Sequence, residues 1–386
     1  MALTAILFVI DNLEFGGGER GVLQLVQALA ADGWGITVAA QAGGPFEAGV
    51  RGAGAAFVPV AMTRRAGLGT VLRLRGLVRA GGFALVHSQG ARADFLTRLA
   101  LLGLPGPRLV STVQMPVEGF DVNPVRQAFY RVFDGLGRGR VDRFIVVSRA
   151  LQRLLVEKRG LAAGRVALVA NGVETDRLTP AARRQLAARA RRALGVGEAT
   201  LLVGAAGRLV WQKGFADLVA AMPGVLARVP AARLVIAGDG PLRDVLATQG
   251  RCAGLGDRLV LPGFQADIVP FLAALDVLVI PSVREGFPLI TLEGMALGLP
   301  IVATAIDGVV EQIQHDTDGL LVPPGDPAAL GAAVVRVLED RTLGERLGQA
   351  ARRQAVACFD VGRTLDATRR VYTALLEAPG AAEPAR

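Results

Sequence analysis

Short apolar, β-branched runs recur along this chain, and longer stretches with apolar residues at helical spacing separate them. "TAILFVI" (4–10) comes first, then the helical "GERGVLQLVQALAADG", then "GITVAAQ". "AAFVPV" (55–60), "FALVHS" (83–88), "RLVSTV" (108–113) and "RFIVVS" (143–148) continue the series. A second series follows: "TLLVGAAGRL" (200–209), "ARLVIAGDG" (232–240), "RLVLPG" (258–263), "LDVLVIPS" (275–282) and "PIVAT" (300–304). Strands alternating with helices predict parallel sheets covered on both faces. The expected fold class is therefore α/β, with two doubly wound, Rossmann-like parallel-sheet domains. Residues 1–175 form the first and 200–360 the second; the strandless, Arg-rich 176–199 connects them. An amphipathic helix over 361–378 is expected to pack back toward the first domain, with 379–386 as a tail. No repeat of 20–50 residues is evident.

Composition narrows the class. At 386 residues the chain is long for one core, and 52% apolar with 20% charged residues describes a well-buried globular protein. No apolar run reaches the ~18 residues that a membrane span needs. "MALTAILFVIDN" has no basic lead and reads as a buried strand rather than a signal peptide. Cys252 and Cys358, the only cysteines, make no ligand pair, which fits a reducing cytoplasm. The formal charge of +9 is uneven: residues 1–180 hold 21 basic and 13 acidic side chains, a net of +8. That half is expected to meet an anionic membrane surface or acidic acceptor, unless it is simply an Arg-rich surface. "TRRAGLGTVLRLRGLVRAGG" (63–82) reads either as a basic amphipathic helix on anionic lipid or as a sheet-covering helix with arginines in water. Nucleic acid is not expected as a partner, since no zinc finger or RNA-recognition motif is present and aromatics are 5%. Of 43 Lys and Arg residues only Lys158 and Lys213 are lysines, so a lysine inside a motif calls for a specific explanation.

Ligands of open parallel sheets bind beyond the carboxyl ends of the strands, and the candidate chemistry lies there. "FGGGERG" (15–21) puts Gly17 and Gly18 where a strand gives way to a helix. The glycines permit close approach to a phosphate, and equally a plain flexible turn. In "GRLVWQKG" (207–214), Arg208 and Lys213 can converge on a diphosphate or be ordinary loop cations. "REGFPLITLEGMALGLPIVAT" (284–304) carries Glu285 before a Gly-Phe-Pro turn and Glu293 beyond it. A helix starting near Pro288 would present the N–H groups of Leu289, Ile290 and Thr291 to an anion, with Phe287, a candidate substrate contact, in the turn. Glu293 could accept hydrogen bonds from a ribose, or merely suit the helix dipole; Glu285 could hold sugar hydroxyls, or be a surface charge. "HDTDG" (315–319) has Asp-x-Asp spacing but reads as a solvated turn, and no metal is expected.

In their order, these motifs resemble family 4 of the glycosyltransferases, retaining nucleotide-sugar enzymes of the GT-B fold. The resemblance runs over about 1–378 through "FGGGER", "LVHS", "VANGVETDRL", "GRLVWQKG", "LVIAGDGPLR", "LPGF", the paired glutamates and "DGLLVPPGD", a turn in the family. It implies two facing domains with a cleft between them. Gly17 and Gly18 would approach the donor diphosphate and Arg208 and Lys213 would neutralise it. Glu285 would contact the transferred sugar and Glu293 the ribose, while Gly263 and Phe264 border the base. Arg208, Lys213 and Glu285 are the expected catalytic residues. Where many members carry His-x-His, whose second His contacts the reacting sugar, this chain has His87 and Gln89 as candidate substrate contacts; Gln114 stands where another His often follows. Glutamine can hydrogen-bond but cannot exchange a proton, and His87 itself can be a packed structural histidine. The implied activity is retaining transfer of a sugar from a UDP- or GDP-sugar to a glycan or lipid-linked acceptor in lipopolysaccharide or cell-envelope polysaccharide synthesis. It needs no cofactor or metal and takes place in the cytoplasm or on the inner membrane face. The alternatives are a non-catalytic binder of nucleotide-sugar or glycan, and an epimerase of the UDP-GlcNAc type.

Overall fold

A computed structural model describes residues 4–11, 16–62, 67–115, 137–197 and 199–378. The chain divides into two compact units: residues 1–170 with 364–386, and residues 171–363. The first holds seven parallel strands in the order β3 (Ala56–Pro59), β2 (Gly35–Ala40), β1 (Ala5–Ile10), β4 (Leu85–Gln89), β5 (Arg108–Val113), β6 (Arg143–Val146) and β7 (Val166–Leu168). The second holds six, also parallel: β10 (Leu259–Gly263), β9 (Ala232–Ala237), β8 (Leu201–Ala206), β11 (Val277–Ile280), β12 (Ile301–Thr304) and β13 (Leu320–Val322). Both sheets reverse strand order once, between β1 and β4 and between β8 and β11. Those are the points where the loops diverge and leave a crevice.

Two edge strands depart from the expectation. β7 was not anticipated, and "GLLVPPGD", expected as a turn, contains β13. Each is three residues long and bonded on one side only, so neither carries a long apolar run. The segment expected as a connection, 176–199, contains a helix at Pro180–Ala193 within the second unit. Thr179 caps it by accepting from the Ala182 N–H, with Pro180 in the first turn. The tail at 379–386 and Arg64 and Arg65 of the basic stretch lie outside the described residues.

Much of the arginine excess ends backbone rather than facing water. Arg183 donates to Leu275 O at 2.7 Å, Arg191 to Ala274 O at 2.9 Å, and Arg352 to Ala296 O at 3.0 Å. In the first unit, Arg75 donates to Leu102 O at 2.7 Å and Arg140 to Pro107 O at 2.7 Å. These carbonyls lie at helix ends or strand approaches, where intrahelical donors run out. A guanidinium carries five N–H groups in a planar fork and can serve several such acceptors at once. Burial lowers the Arg183 pKa, and the Asp276 carboxylate opposes that shift.

The helix Val361–Leu376 delivers Tyr372, fully buried, into the first unit's core with Ile6, Phe8 and Leu85. Its hydroxyl lies 2.5 Å from His87 Nδ1, while His87 Nε2 meets Thr112 Oγ1 at 2.7 Å. The His87 ring also stands 5.2 Å from that of Phe8. Desolvation drives the His87 pKa down to about 3 and the Tyr372 pKa well above its usual value, so both are neutral near pH 7. An unfolded histidine takes up its proton near pH 6.5. The stabilisation is therefore complete above that pH and is lost as pH falls from about 6.5 toward 3. The slope is about 1.4 kcal/mol per pH unit for this group. Urea unfolding of wild type and His87→Gln at pH 7 and pH 5 should show the stability gap between them shrinking at the lower pH; a constant gap would refute the assignment.

Candidate active site

In the second unit, four loops at the carboxyl ends of the strands are sewn together through backbone. Leu209 N–H donates to Asp239 O at 2.8 Å, Leu242 N–H to Leu209 O at 3.0 Å, and Gly238 N–H to Gly263 O at 2.9 Å. Across the β8/β11 crevice, the Val283 N–H reaches Gln212 O at 2.8 Å. Such close approach requires missing side chains. A Cβ on Gly214 would overlap Pro281 O, one on Gly238 would overlap Gly207 O, and one on Gly308 would overlap Gly286 O. Gly214 and Gly238 also have positive φ, 62° and 139°.

This stitching brings Lys213 and Glu285 into direct contact. Lys213 Nζ lies 2.5 Å from Glu285 Oε1, and Ser282 Oγ donates to the same oxygen at 2.8 Å. Thr304 Oγ1 in turn donates to Ser282 O. The Glu285 side chain is only 6% exposed and the Lys213 side chain 23%, so the ammonium is what remains open. A buried carboxylate survives this way when opposite charge and hydrogen bonds replace its lost water. The Lys213 ammonium has three N–H donors, which leaves capacity for phosphate oxygens beyond the one spent on Glu285. Arg208 is exposed on the same loop, five residues earlier.

The helix Leu289–Ala296 begins directly after Pro288, which serves as N-cap, and no side chain caps it. Its first N–H groups, from Leu289, Ile290 and Thr291, are therefore donors for an outside anion. The Thr291 and Glu293 side chains are buried in this helix. Phe287, expected to line the substrate, turns its ring inward: it is 5% exposed and packs edge-on against Phe359 at 5.6 Å. Only its backbone can serve a ligand, because burial of an aromatic ring outweighs exposure at a rim. Gly263 ends β10 with φ 84°, and the next side chain, Phe264, is 54% exposed. Trp211, also exposed, carries the Arg284 guanidinium over its ring at 5.6 Å.

The remaining candidates belong to the first unit. Gly17 starts the helix Gly17–Ala31, which is held by Glu19 accepting from the Gly16 N–H at 2.8 Å. Gln89 Nε2 donates to Gly18 O at 3.0 Å, and a Cβ on Gly18 would meet Gln114 Oε1 at 2.9 Å. So the two glutamines flank the glycine turn. Of the two readings of His87, substrate contact or packed structural histidine, the structure favours the second: both ring nitrogens already have partners and the side chain is 2% exposed. A residue the motifs did not single out, Asp11, stands at the end of β1 beside Arg92 at 3.4 Å, its pKa raised by burial against the pull of that arginine.

Comparison with known proteins bears on the family and the fold. A model described as "Glycosyltransferase Family 4" matches residues 15–177, and one described as "Glycosyl transferases group 1" matches residues 200–340. The chain belongs to the family 4 glycosyltransferases. Its two parallel-sheet α/β units are those of the GT-B fold class. An uncharacterized glycosyltransferase of Methanocaldococcus jannaschii, MJ1607, is 35% identical over 192 residues, 49% of each chain; the match thus spans about half the length of that curated relative. An Escherichia coli UDP-Gal:alpha-D-GlcNAc-diphosphoundecaprenol alpha-1,3-galactosyltransferase is 24% identical over 92% of this chain and 93% of its own. Among solved structures, Anabaena Alr3699/HepE, crystallised with UDP and glucose, superposes with a TM-score of 0.84 at 22% identity, covering 96% of this chain and 100% of that one.

For a family 4 glycosyltransferase, the residues to which motif reading gives no role are Ser282, Thr304, Asn171 and Gln312. None has a recognisable spacing to the glutamates, and each enters through a single side-chain hydrogen bond to them or to their loop. The Asp-x-Asp of "HDTDG" holds its own turn. Asp318 accepts from the Gln314 N–H at 2.7 Å and Asp316, with φ 57°, pairs with Arg336 at 2.9 Å. The loop stitching gives a direct test. Gly214→Ala should cost more than about 3 kcal/mol in denaturant unfolding, since both φ and the Pro281 carbonyl oppose a Cβ. Gly224→Ala, in a helix interior with open space around it, should instead gain about 0.5–1 kcal/mol.

Proposed function

We propose that this protein is a retaining glycosyltransferase that moves a sugar from a UDP- or GDP-sugar to a glycan or lipid-linked acceptor. The observation carrying this reading is the joining of Lys213 and Glu285 at the β8/β11 crevice, on loops shared with Arg208 and the uncapped helix start at Leu289. A diphosphate at a sheet's reversal point needs positive charge and oriented N–H donors. Here a guanidinium, an ammonium and a helix N-terminus are the groups for it, and they perform the charge neutralisation a divalent metal would otherwise supply.

In the proposed reaction, the bond from the sugar's anomeric carbon to the diphosphate breaks while the acceptor hydroxyl oxygen bonds to the same face of that carbon. The acceptor proton passes to the departing phosphate oxygen. No protein base is required, which suits a chain whose His87 is buried and neutral and whose Gln89 cannot titrate. Glu285 holds Lys213 through Oε1 and retains Oε2 for a sugar hydroxyl. Glu293 serves the ribose and Phe264 borders the base. A lipid-linked acceptor is supported by the name of the E. coli relative and favours a role in lipopolysaccharide or other cell-envelope polysaccharide synthesis.

No helix among the described residues is long and apolar enough to cross a membrane. The helix Leu68–Gly81 buries Leu74 and Val78 and exposes Leu68, Leu72, Arg73 and Arg79. Apolar and cationic side chains on one exposed helix suit shallow contact with an anionic leaflet.

Two measurements test these readings. Purified protein should turn over a UDP- or GDP-sugar, and Lys213→Ala should cut kcat/KM for the donor at least about a hundredfold, far more than Gln89→Ala. Equal losses would end the charge-stabilisation scheme. Vesicles containing anionic lipid should co-sediment the protein more than neutral vesicles, and Leu72→Ser with Arg73→Ser should weaken that preference; indifference to lipid charge would remove the membrane contact.

A further inference from the structure

Three consecutive carbonyls precede and start the helix Leu289–Ala296, and each is held by a different part of the second unit. Gly286 O packs where Gly308 has no Cβ. Phe287 O accepts from Asn171 Nδ2 at 2.9 Å. Pro288 O accepts from Gln312 Nε2 at 3.1 Å. Nothing local would hold this turn: the N-cap is a proline, with no side-chain oxygen to offer and no N–H to give.

The two amides come from far along the chain. Asn171 is the first residue of the second unit. Its neighbour Val173 is bridged to Phe359 and Val361 through backbone hydrogen bonds of 2.9 Å each, and Phe359 is the ring against Phe287. Gln312 follows the short helix Asp307–Val310 and is 1% exposed. Its Oε1 is buried with no hydrogen-bond partner among the described residues. An unsatisfied buried oxygen is destabilising, and it offsets what the bond to Pro288 O contributes to stability. What the glutamine supplies in return is its grip on Pro288 O.

We propose that Asn171 and Gln312 are positioning residues for the donor diphosphate. They hold the Phe287 and Pro288 carbonyls, and thereby set the direction of the Leu289, Ile290 and Thr291 N–H groups. This rests on the function proposed above for that helix start, and it assigns the orientation of the turn to two side chains to which the sequence reading gave no role.

The test uses the full-length protein. Gln312→Met keeps the side chain's volume while removing both the donor and the unpaired oxygen. The expected result is a small change in Tm, the bond lost from Pro288 O being offset by removal of the unpaired Oε1, together with a UDP Kd, by calorimetry, weakened about tenfold. A purely structural glutamine would not separate those two readouts. Asn171→Ala should weaken UDP binding similarly, whereas Thr175→Val, which removes the neighbouring hydrogen bond to Asp360, should lower Tm and leave the UDP Kd within twofold. Amide hydrogen exchange across residues 288–297 in nucleotide-free protein should be faster in Gln312→Met and Asn171→Ala. That readout separates the two claims. If wild type bound no UDP, the proposed function would fall in its UDP form, while the exchange data would still decide the positioning claim. Unchanged exchange in both variants, or unchanged UDP affinity where wild type binds, would overturn it.

Discussion

Backbone packed directly on backbone is the constraint from which the second unit's candidate site follows. Loops after β8, β9, β10 and β11 exchange N–H···O=C bonds beyond the ends of their strands, and a Cβ on Gly214 or Gly238 would overlap a carbonyl oxygen of the neighbouring loop. Once those loops are joined, Lys213 from one and Glu285 from another cannot avoid meeting. The ion pair is thus a consequence of loop geometry as much as of charge. Its buried carboxylate is tolerable because Ser282 and Lys213 share one oxygen.

Arginine has a second role in this chain beyond any anionic partner. Guanidinium groups close off carbonyls at the ends of helices and at strand approaches, as Arg183, Arg191 and Arg352 do in the second unit. A lysine offers a point charge with a compact hydration shell and cannot span two carbonyls in a plane. That accounts for arginine rather than lysine at these positions. It also makes the net charge of the first 180 residues a weaker indicator of a charged surface than the raw count suggests, since Arg75 and Arg140 are engaged with backbone.

Legibility in the sequence followed the scale of each interaction. Eleven of the thirteen strands among the described residues were readable because each is a run of β-branched or apolar residues; β7 and β13 were not, being three-residue edges. Residues carrying charge next to glycine turns, such as Lys213 and Glu285, stood out by type and spacing. Phe287 and His87 could not be placed by the motifs that contain them. Each sits inside a motif, yet the ring of one goes into the core and the nitrogens of the other are used up by Tyr372 and Thr112, residues 285 and 25 positions away.

The sequence alone determined the α/β class, the two series of strands, the glycine-rich turns and the identity of the charged groups, because periodicity and residue type are local properties of the chain. Tertiary structure alone decided which oxygen Lys213 meets, that Gln89 turns to Gly18 O, and that Asn171 and Gln312 hold the turn before Leu289. Those are single hydrogen bonds between residues dozens to more than a hundred positions apart. No local pattern encodes such a pairing, since it exists only once the sheet has set the order of its strands.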